Sequence, residues 1–186
     1  MLINTNTTLP EVLECIHAEL DKAANNAAHP FRFVVLSTID QNIPVSRYVV
    51  LRKVLSGSTI QIFTDSRSDK ISQLEKNNHV NLLFFNSEQG LQVSLSGTVA
   101  IEGDQSEQYW ADVKNRRSYN SILAPGTRID NPAEAHQWSD PLISEFFAVV
   151  TVKPVQIDVL QLNGDHHLRT RFLRGADNWT GSWLAP

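Results

Sequence analysis

Along the chain the spacing of apolar residues changes period several times, and each change predicts an element. Leu9, Val12, Leu13, Ile16 and Leu20 recur at steps of three and four, which puts them on one face of an amphipathic helix. Thr8 precedes the run, Pro10 sits in its first turn and Glu11 follows three residues after Thr8, the arrangement of a capping box. This helix is expected to end near Asn25 to His29. From Phe31 the period shortens. FRFVVLSTI and IPVSRYVVLRKV are rich in β-branched and aromatic residues and flank Asp40-Gln41-Asn42, which predicts a hairpin. Ser56-Gly57-Ser58 marks the next turn, and TIQIFTD a third strand. Ile71 and Leu74 within SRSDKISQLEKN predict a short helix with Ser66 or Ser68 as N-cap.

HVNLLFFN and LQVSLSGTVAIEG follow as strands around Glu88-Gln89-Gly90, and DQSEQYWADVKNRRSYN reads as helical. LAPGTRIDNPAEAHQWSD is dense in turn formers and predicts a long loop or short helical turns. FFAVVTVKPVQIDVLQL, HHLRTRFLR and WTGSWLAP complete the strands, with Gly175-Ala176-Asp177-Asn178 turning between the last two. Seven or eight strands with mostly short connections predict a mainly β, α+β architecture: an antiparallel barrel with flanking helices. The expected organisation is one domain, with a helical segment over 1–29 and the barrel over 30–186.

Composition narrows the function. A chain of 186 residues that is 41% hydrophobic suits one sizeable core. Sixteen Lys+Arg against twenty Asp+Glu, a net charge of -4, argue against a surface that wraps nucleic acid. Cys15 is the single cysteine, so neither an intrachain disulfide nor a thiolate metal cluster can form within the chain. With no signal-like start and no apolar run of membrane length, a cytoplasmic protein without a membrane partner is expected. GxGxxG, P-loop, GxSxG and HExxH patterns are all missing. His166 and His167 are adjacent and on a strand face opposite ways, so no metal site is expected.

Three charged clusters remain. Arg47 and Arg52 lie in RYVVLRKV, on opposite strand faces and roughly 17 Å apart along the chain. Either the strand ends reach solvent or an elongated anion lies along the strand. Thr64, Ser66, Ser68 and Lys70 fall where a strand hands over to a helix, giving either a capped surface helix or an anion site. In HLRTRFLR, a period of two puts His167, Arg169 and Arg171 on one face. Such a row repels itself unless an anion or a carboxylate sits between its members, or the edge is solvated.

Joined in order, these segments resemble the pyridoxamine 5′-phosphate oxidase-like family of FMN-binding split barrels from about Phe31 onward. Arg47-Tyr48-Val49-Val50-Leu51-Arg52 resembles the family's Arg-x-Val-Leu-Leu-Lys strand, Phe63-Thr64-Asp65 its Tyr-Thr-Asn, and Ser68-Asp69-Lys70 its Ser-Arg-Lys phosphate anchor. His167-Leu168-Arg169-Thr170-Arg171-Phe172 resembles Arg-Leu-His-Asp-Arg-Phe, and Leu184-Ala185-Pro186 the family's closing residues. The resemblance implies FMN as cofactor. Arg47, Thr64, Ser68 and Lys70 would hold its phosphate, and Tyr48, Val49, Val50, Arg52, Gln92 and Arg171 would meet the rest of it. A small-molecule substrate would meet Arg52, Tyr109 or Trp110 as aromatic partner, Arg117, Ser121, His167 and Arg169. It implies no particular catalytic residue.

The resemblance also implies a homodimer with the flavin between subunits, which lets two guanidiniums on opposite faces of one strand serve different parts of one cleft. The departures fall on the substrate side. Arg52 replaces Lys, Asp69 replaces a cation, the tryptophan expected near Leu160 or Gln161 is missing, and His167 and Arg169 exchange identities. An FMN-dependent oxidoreductase acting on a small, anionic substrate is therefore expected. The alternatives are a flavin-binding protein without pyridoxamine 5′-phosphate oxidase activity and a barrel with no ligand.

Overall fold

A computed structural model describes residues 1–102 and 106–186. The predicted strand end at Gly103 and the predicted helix start at Asp104-Gln105 lie outside the described residues. The chain order is α1 (Leu9–Asn25), β1 (Phe33–Asp40), β2 (Ile43–Leu55), β3 (Thr59–Asp65), α2 (Asp69–Lys76), β4 (His79–Asn86), β5 (Leu91–Glu102), α3 (Ser106–Trp110), β6 (Phe147–Gln161), β7 (Leu168–Arg174) and β8 (Trp179–Leu184). The sheet runs β3-β2-β1-β4-β5-β6-β7-β8, and a further β3–β6 pairing closes the first six strands into an antiparallel barrel. β7 and β8 extend the sheet beyond the closure.

Alternation decides which side chains enter the barrel. Val34 and Leu36, Val49 and Leu51, Ile60 and Ile62, Leu82 and Phe84, and Val93 and Leu95 are all buried in one cluster, as the period of two requires. α1 adds Val12, Ile16 and Leu20 to the same cluster. Its first turn is fixed by Glu11, whose carboxylate accepts from the Thr8 backbone N–H at 2.7 Å and from its hydroxyl at 2.8 Å. The β1–β2 turn has Gln41 and Asn42 at φ 46° and 68°, the left-handed pair that a two-residue hairpin needs. At Gly97 a register shift brings the β6 backbone so close that a Cβ would lie 2.2 Å from the Lys153 carbonyl oxygen.

Two expectations are corrected. The run 106–120 is not one helix: α3 stops at Trp110 and a separate 3₁₀ turn spans Arg116–Tyr119. Burial overrides the helical period here, because the chain bends to pack Val113 and Tyr119 against Phe147 and Val149 on the outside of the barrel. β6 is consequently covered on both faces from Phe147 to Val152. That apolar stretch is satisfied within the chain and gives no reason to invoke a second subunit.

The second correction concerns His167. It precedes β7 and does not share a strand face with Arg169 and Arg171. Residues 163–167 close a turn instead, with the Asn163 N–H donating to His167 Nδ1 at 3.1 Å and the His166 N–H to the Asn163 carbonyl at 2.8 Å.

Candidate functional site

The first cluster forms at one rim of the barrel. Thr64 is the penultimate residue of β3 and Ser68 the residue just before α2, so the strand-to-helix turn brings both toward Lys70. Lys70 Nζ donates to Thr64 Oγ1 at 2.8 Å and to Ser68 Oγ at 2.9 Å. The Ser68 hydroxyl itself donates to the Asp65 carbonyl at 2.7 Å, so it is spent on the turn and on Lys70. Arg47, on β2, donates to Thr38 Oγ1 and, at 2.7 Å, to Gln73 Oε1. The Gln73 amide nitrogen faces Asp40 at 3.5 Å, which turns its oxygen toward Arg47.

Both cations of this cradle are thus held by neutral groups. Burial pushes the Lys70 ammonium below the usual lysine range, and the Arg47 charge pushes it further, against a pull from Asp65 and Asp69. Burial likewise lowers Arg47, with Asp69 opposing. Asp65 gives little direct neutralisation, because Arg67 grips both its oxygens at 3.0 and 2.7 Å. An anionic group with several oxygens would relieve both cations at once.

The second feature is a groove of about 860 Å³ on the outer face of β1, β2, β4, β5 and β6. Tyr48 is 74% exposed, Phe33 58% and Phe85 48%, and Gln92 is a polar group in this otherwise apolar lining. Gln92 pairs across the ladder with Leu160, the region where the resemblance expects a tryptophan. Val49 points into the barrel and offers only backbone, while Val50 is half-buried on the outward side.

On β7 the question of the repelling row is answered by the chain itself. Asp158 lies opposite Arg171 in the β6–β7 register. Its carboxylate accepts from Arg169 Nε at 3.0 Å and Nη2 at 3.2 Å, and from Arg171 Nε at 3.1 Å and Nη2 at 2.9 Å. Burial raises the Asp158 carboxyl, but the bonds and charges of the two arginines together outweigh it and hold the group below the usual carboxylate range.

The expected substrate residues are dispersed. Arg52 is the extra residue of a β-bulge, since the β2–β3 register shifts between Leu51 and Lys53. Its Nη2 donates to the Tyr119 hydroxyl at 3.2 Å. Neither Arg117 nor Ser121 lines the pocket that holds Arg52. Arg117 lies over the Trp138 ring at 5.2 Å, and Ser121 bridges to Trp138 while its carbonyl accepts from Arg67. Tyr109 accepts from Gln61 Nε2 at 3.0 Å and Trp110 packs against Phe147. The aromatic that reaches Arg52 is therefore Tyr119. Gln73, Asp158 and Tyr119 complete these clusters, and the sequence pattern does not mark them as site residues.

Fold and clusters together define a split barrel with two cations, Arg47 and Lys70, held by neutral oxygens at its rim. Residues 14–103 match the family model described as pyridoxamine 5′-phosphate oxidase, FMN-binding domain. A pyridoxine/pyridoxamine 5′-phosphate oxidase of Legionella pneumophila is 28% identical over 167 residues, covering 82% of this chain and 77% of its own length. One from Haemophilus influenzae is 27% identical over 189 residues, covering 93% and 84%. Among solved structures, a pyridoxamine 5′-phosphate oxidase-related, FMN-binding protein of Nostoc punctiforme superposes with TM-score 0.76 at 21% identity, covering 93% of this chain and 96% of its own. PhzG of Burkholderia lata, in complex with tetrahydrophenazine-1-carboxylic acid, gives 0.73 at 17%, covering 98% and 95%. By this match and this fold the chain fits a divergent member of the pyridoxamine 5′-phosphate oxidase-like family of FMN-binding split barrels.

Proposed function

We propose that the chain is an FMN-dependent oxidoreductase that works as a homodimer on a small, anionic substrate. The observation that supports this best is the rim cradle, where Arg47 and Lys70 are hydrogen-bonded only to neutral oxygens. Such a pair suits the terminal phosphate of FMN, with Thr64 and Ser68 fixing the ammonium. Tyr48 and Gln92, in the groove, and the backbone of Val49 and Val50 would accompany the ring, and Arg171 would add a cation nearby. When bound, FMN supplies two-electron redox chemistry, and the protein supplies orientation, charge and exclusion of water. The exposed apolar groove supports a second copy as its cover, since a two-fold contact buries one patch on both chains.

Pyridoxamine 5′-phosphate itself is a poor fit. Arg117 and Ser121, the residues expected to receive its phosphate, are engaged with Trp138 and Arg67 and stand apart from the Arg52 pocket. The test is visible absorption after incubation with FMN and gel filtration. Flavin bands should travel with the wild-type protein and be lost from Arg47→Ala. A colourless wild-type fraction would overturn the flavin reading.

A further inference from the structure

The turn between β2 and β3 holds a serine in a backbone conformation that serines rarely adopt. Leu55 and Thr59 pair across the ladder, and the chain reverses between them through Gly57 and Ser58 at φ 67° and 61°. Gly57 takes the left-handed region freely, whereas a residue with a side chain is uncommon there and stores strain of the kind that collects at functional positions. The reversal buries Ser58 and turns its hydroxyl onto α1, where Oγ lies 2.7 Å from His17 Nε2.

Both residues line a pocket of about 280 Å³, with Asp21 and the turn residues 54–57 as its other walls. It shares no residue with the lining of the outer groove or with the rim cradle. Burial lowers the His17 imidazole below the usual histidine value, against a pull from Asp21 and Glu14 on the same helix. The ring is therefore neutral at pH 7, and Nε2 can take the Ser58 proton while Nδ1 keeps its own. Asp21, four residues on and so on the same helix face, can stabilise the imidazolium that results. The turn itself adds no titratable side chain to the pocket. From β7, Arg174 Nη1 donates to the Gly57 carbonyl at 2.7 Å. A cation thus stands one residue from the serine, and positive charge there favours a developing oxyanion.

We propose that Ser58 and His17 form a nucleophile and base pair that accepts the acyl group of a small ester. Ser58 Oγ attacks the ester carbonyl carbon as its proton passes to His17 Nε2, and a new C–O bond forms. The bond to the leaving oxygen then breaks, and that oxygen takes the proton from Nε2. The products are an O-acylserine and a free alcohol, with the imidazole neutral again. Nothing is oxidised or reduced, so the step is independent of any flavin. The pocket falls just below the range of about 300–1,000 Å³ usual for drug-sized ligands. Because Ser58 is buried, the acyl group must fit this space and is therefore a short one.

The experiment is incubation of the full chain with p-nitrophenyl acetate, following nitrophenolate release and locating the acetyl group by peptide mass mapping. The wild type should give a stoichiometric burst and carry acetyl on Ser58. Ser58→Gly, which suits the left-handed backbone and removes only the hydroxymethyl group, should lose both. His17→Gln should slow acylation by about a hundredfold, the low end for a positioned base, and Asp21→Asn by only a few-fold. The acylation rate should rise with pH through a value below that of an ordinary histidine, because the neutral ring is the active form; a merely structural contact would give no such profile. No burst, acetyl on other residues alone, or equal rates in the wild type and Ser58→Gly would overturn the proposal.

Discussion

Replacing Asp158 by Asn probes how the β7 arginines are held. The carboxylate accepts four N–H bonds from two guanidiniums, and both arginine side chains are 38% exposed while Asp158 is 13% exposed. Fully buried, such bonds would be worth about 1.5–3 kcal/mol each. Exposure lets water replace much of that, so each ion pair is discounted to about 0.2–1 kcal/mol. The expected cost of Asp158→Asn for the two pairs is then about 0.4–2 kcal/mol, or a fall in Tm of about 1–8 °C for a chain of this size. The sign with pH follows from the direction of the shift. A carboxyl held below its unfolded value contributes stability above that value and loses it as pH falls through the folded pKa. Thermal melts of both proteins should therefore differ at pH 7 and converge as the pH drops below the usual aspartate range. Identical melts at pH 7, or a gap that persists unchanged in acid, would refute the reasoning.

Gln73→Leu should weaken FMN several-fold while leaving riboflavin unchanged, because Gln73 orients Arg47 through a 2.7 Å bond; fluorescence titration of both ligands checks it. FMN affinity should decline with rising pH from below the ordinary lysine range, because Lys70 loses its proton early and only the ammonium attracts phosphate; a titration series from pH 7 to the alkaline side reads this out. Gly97→Ala should cost about 1–3 kcal/mol in denaturant unfolding, since the added Cβ meets backbone at 2.2 Å. Phe85→Asp, placing charge in the exposed groove, should shift the protein from the proposed dimer to a monomer by light scattering, and an unchanged mass would count against the groove as the contact. Air oxidation of pyridoxamine 5′-phosphate by FMN-loaded protein should stay well below about 1 per second, the low end of ordinary turnover.

Much of the barrel is legible in the sequence because strand alternation and turn chemistry agree. Asp40-Gln41-Asn42 names its own hairpin, and Thr8 with Glu11 names the start of α1. The cradle is legible for the same reason: Thr64, Ser68 and Lys70 are close in sequence, and a strand-to-helix turn folds them together. What sequence does not show is set by tertiary register. Asp158 reaches its arginines from eleven and thirteen residues away, a match visible only once β6 and β7 are aligned. The break after Trp110 arises because burying Val113 and Tyr119 against Phe147 outweighs continuing the helix. Lys53 shares a pocket with Arg52 only through the bulge, which leaves no mark on hydrophobic periodicity.

The central claim is that Arg47 and Lys70 form a cradle for the phosphate of a flavin. The ratio of FMN to riboflavin affinity, measured by fluorescence quenching on the full chain, tests it most directly. Two charge-assisted contacts at about 1.5–3 kcal/mol each predict FMN binding tighter by about a hundredfold or more. Equal affinity for the two, or binding of neither, would contradict it.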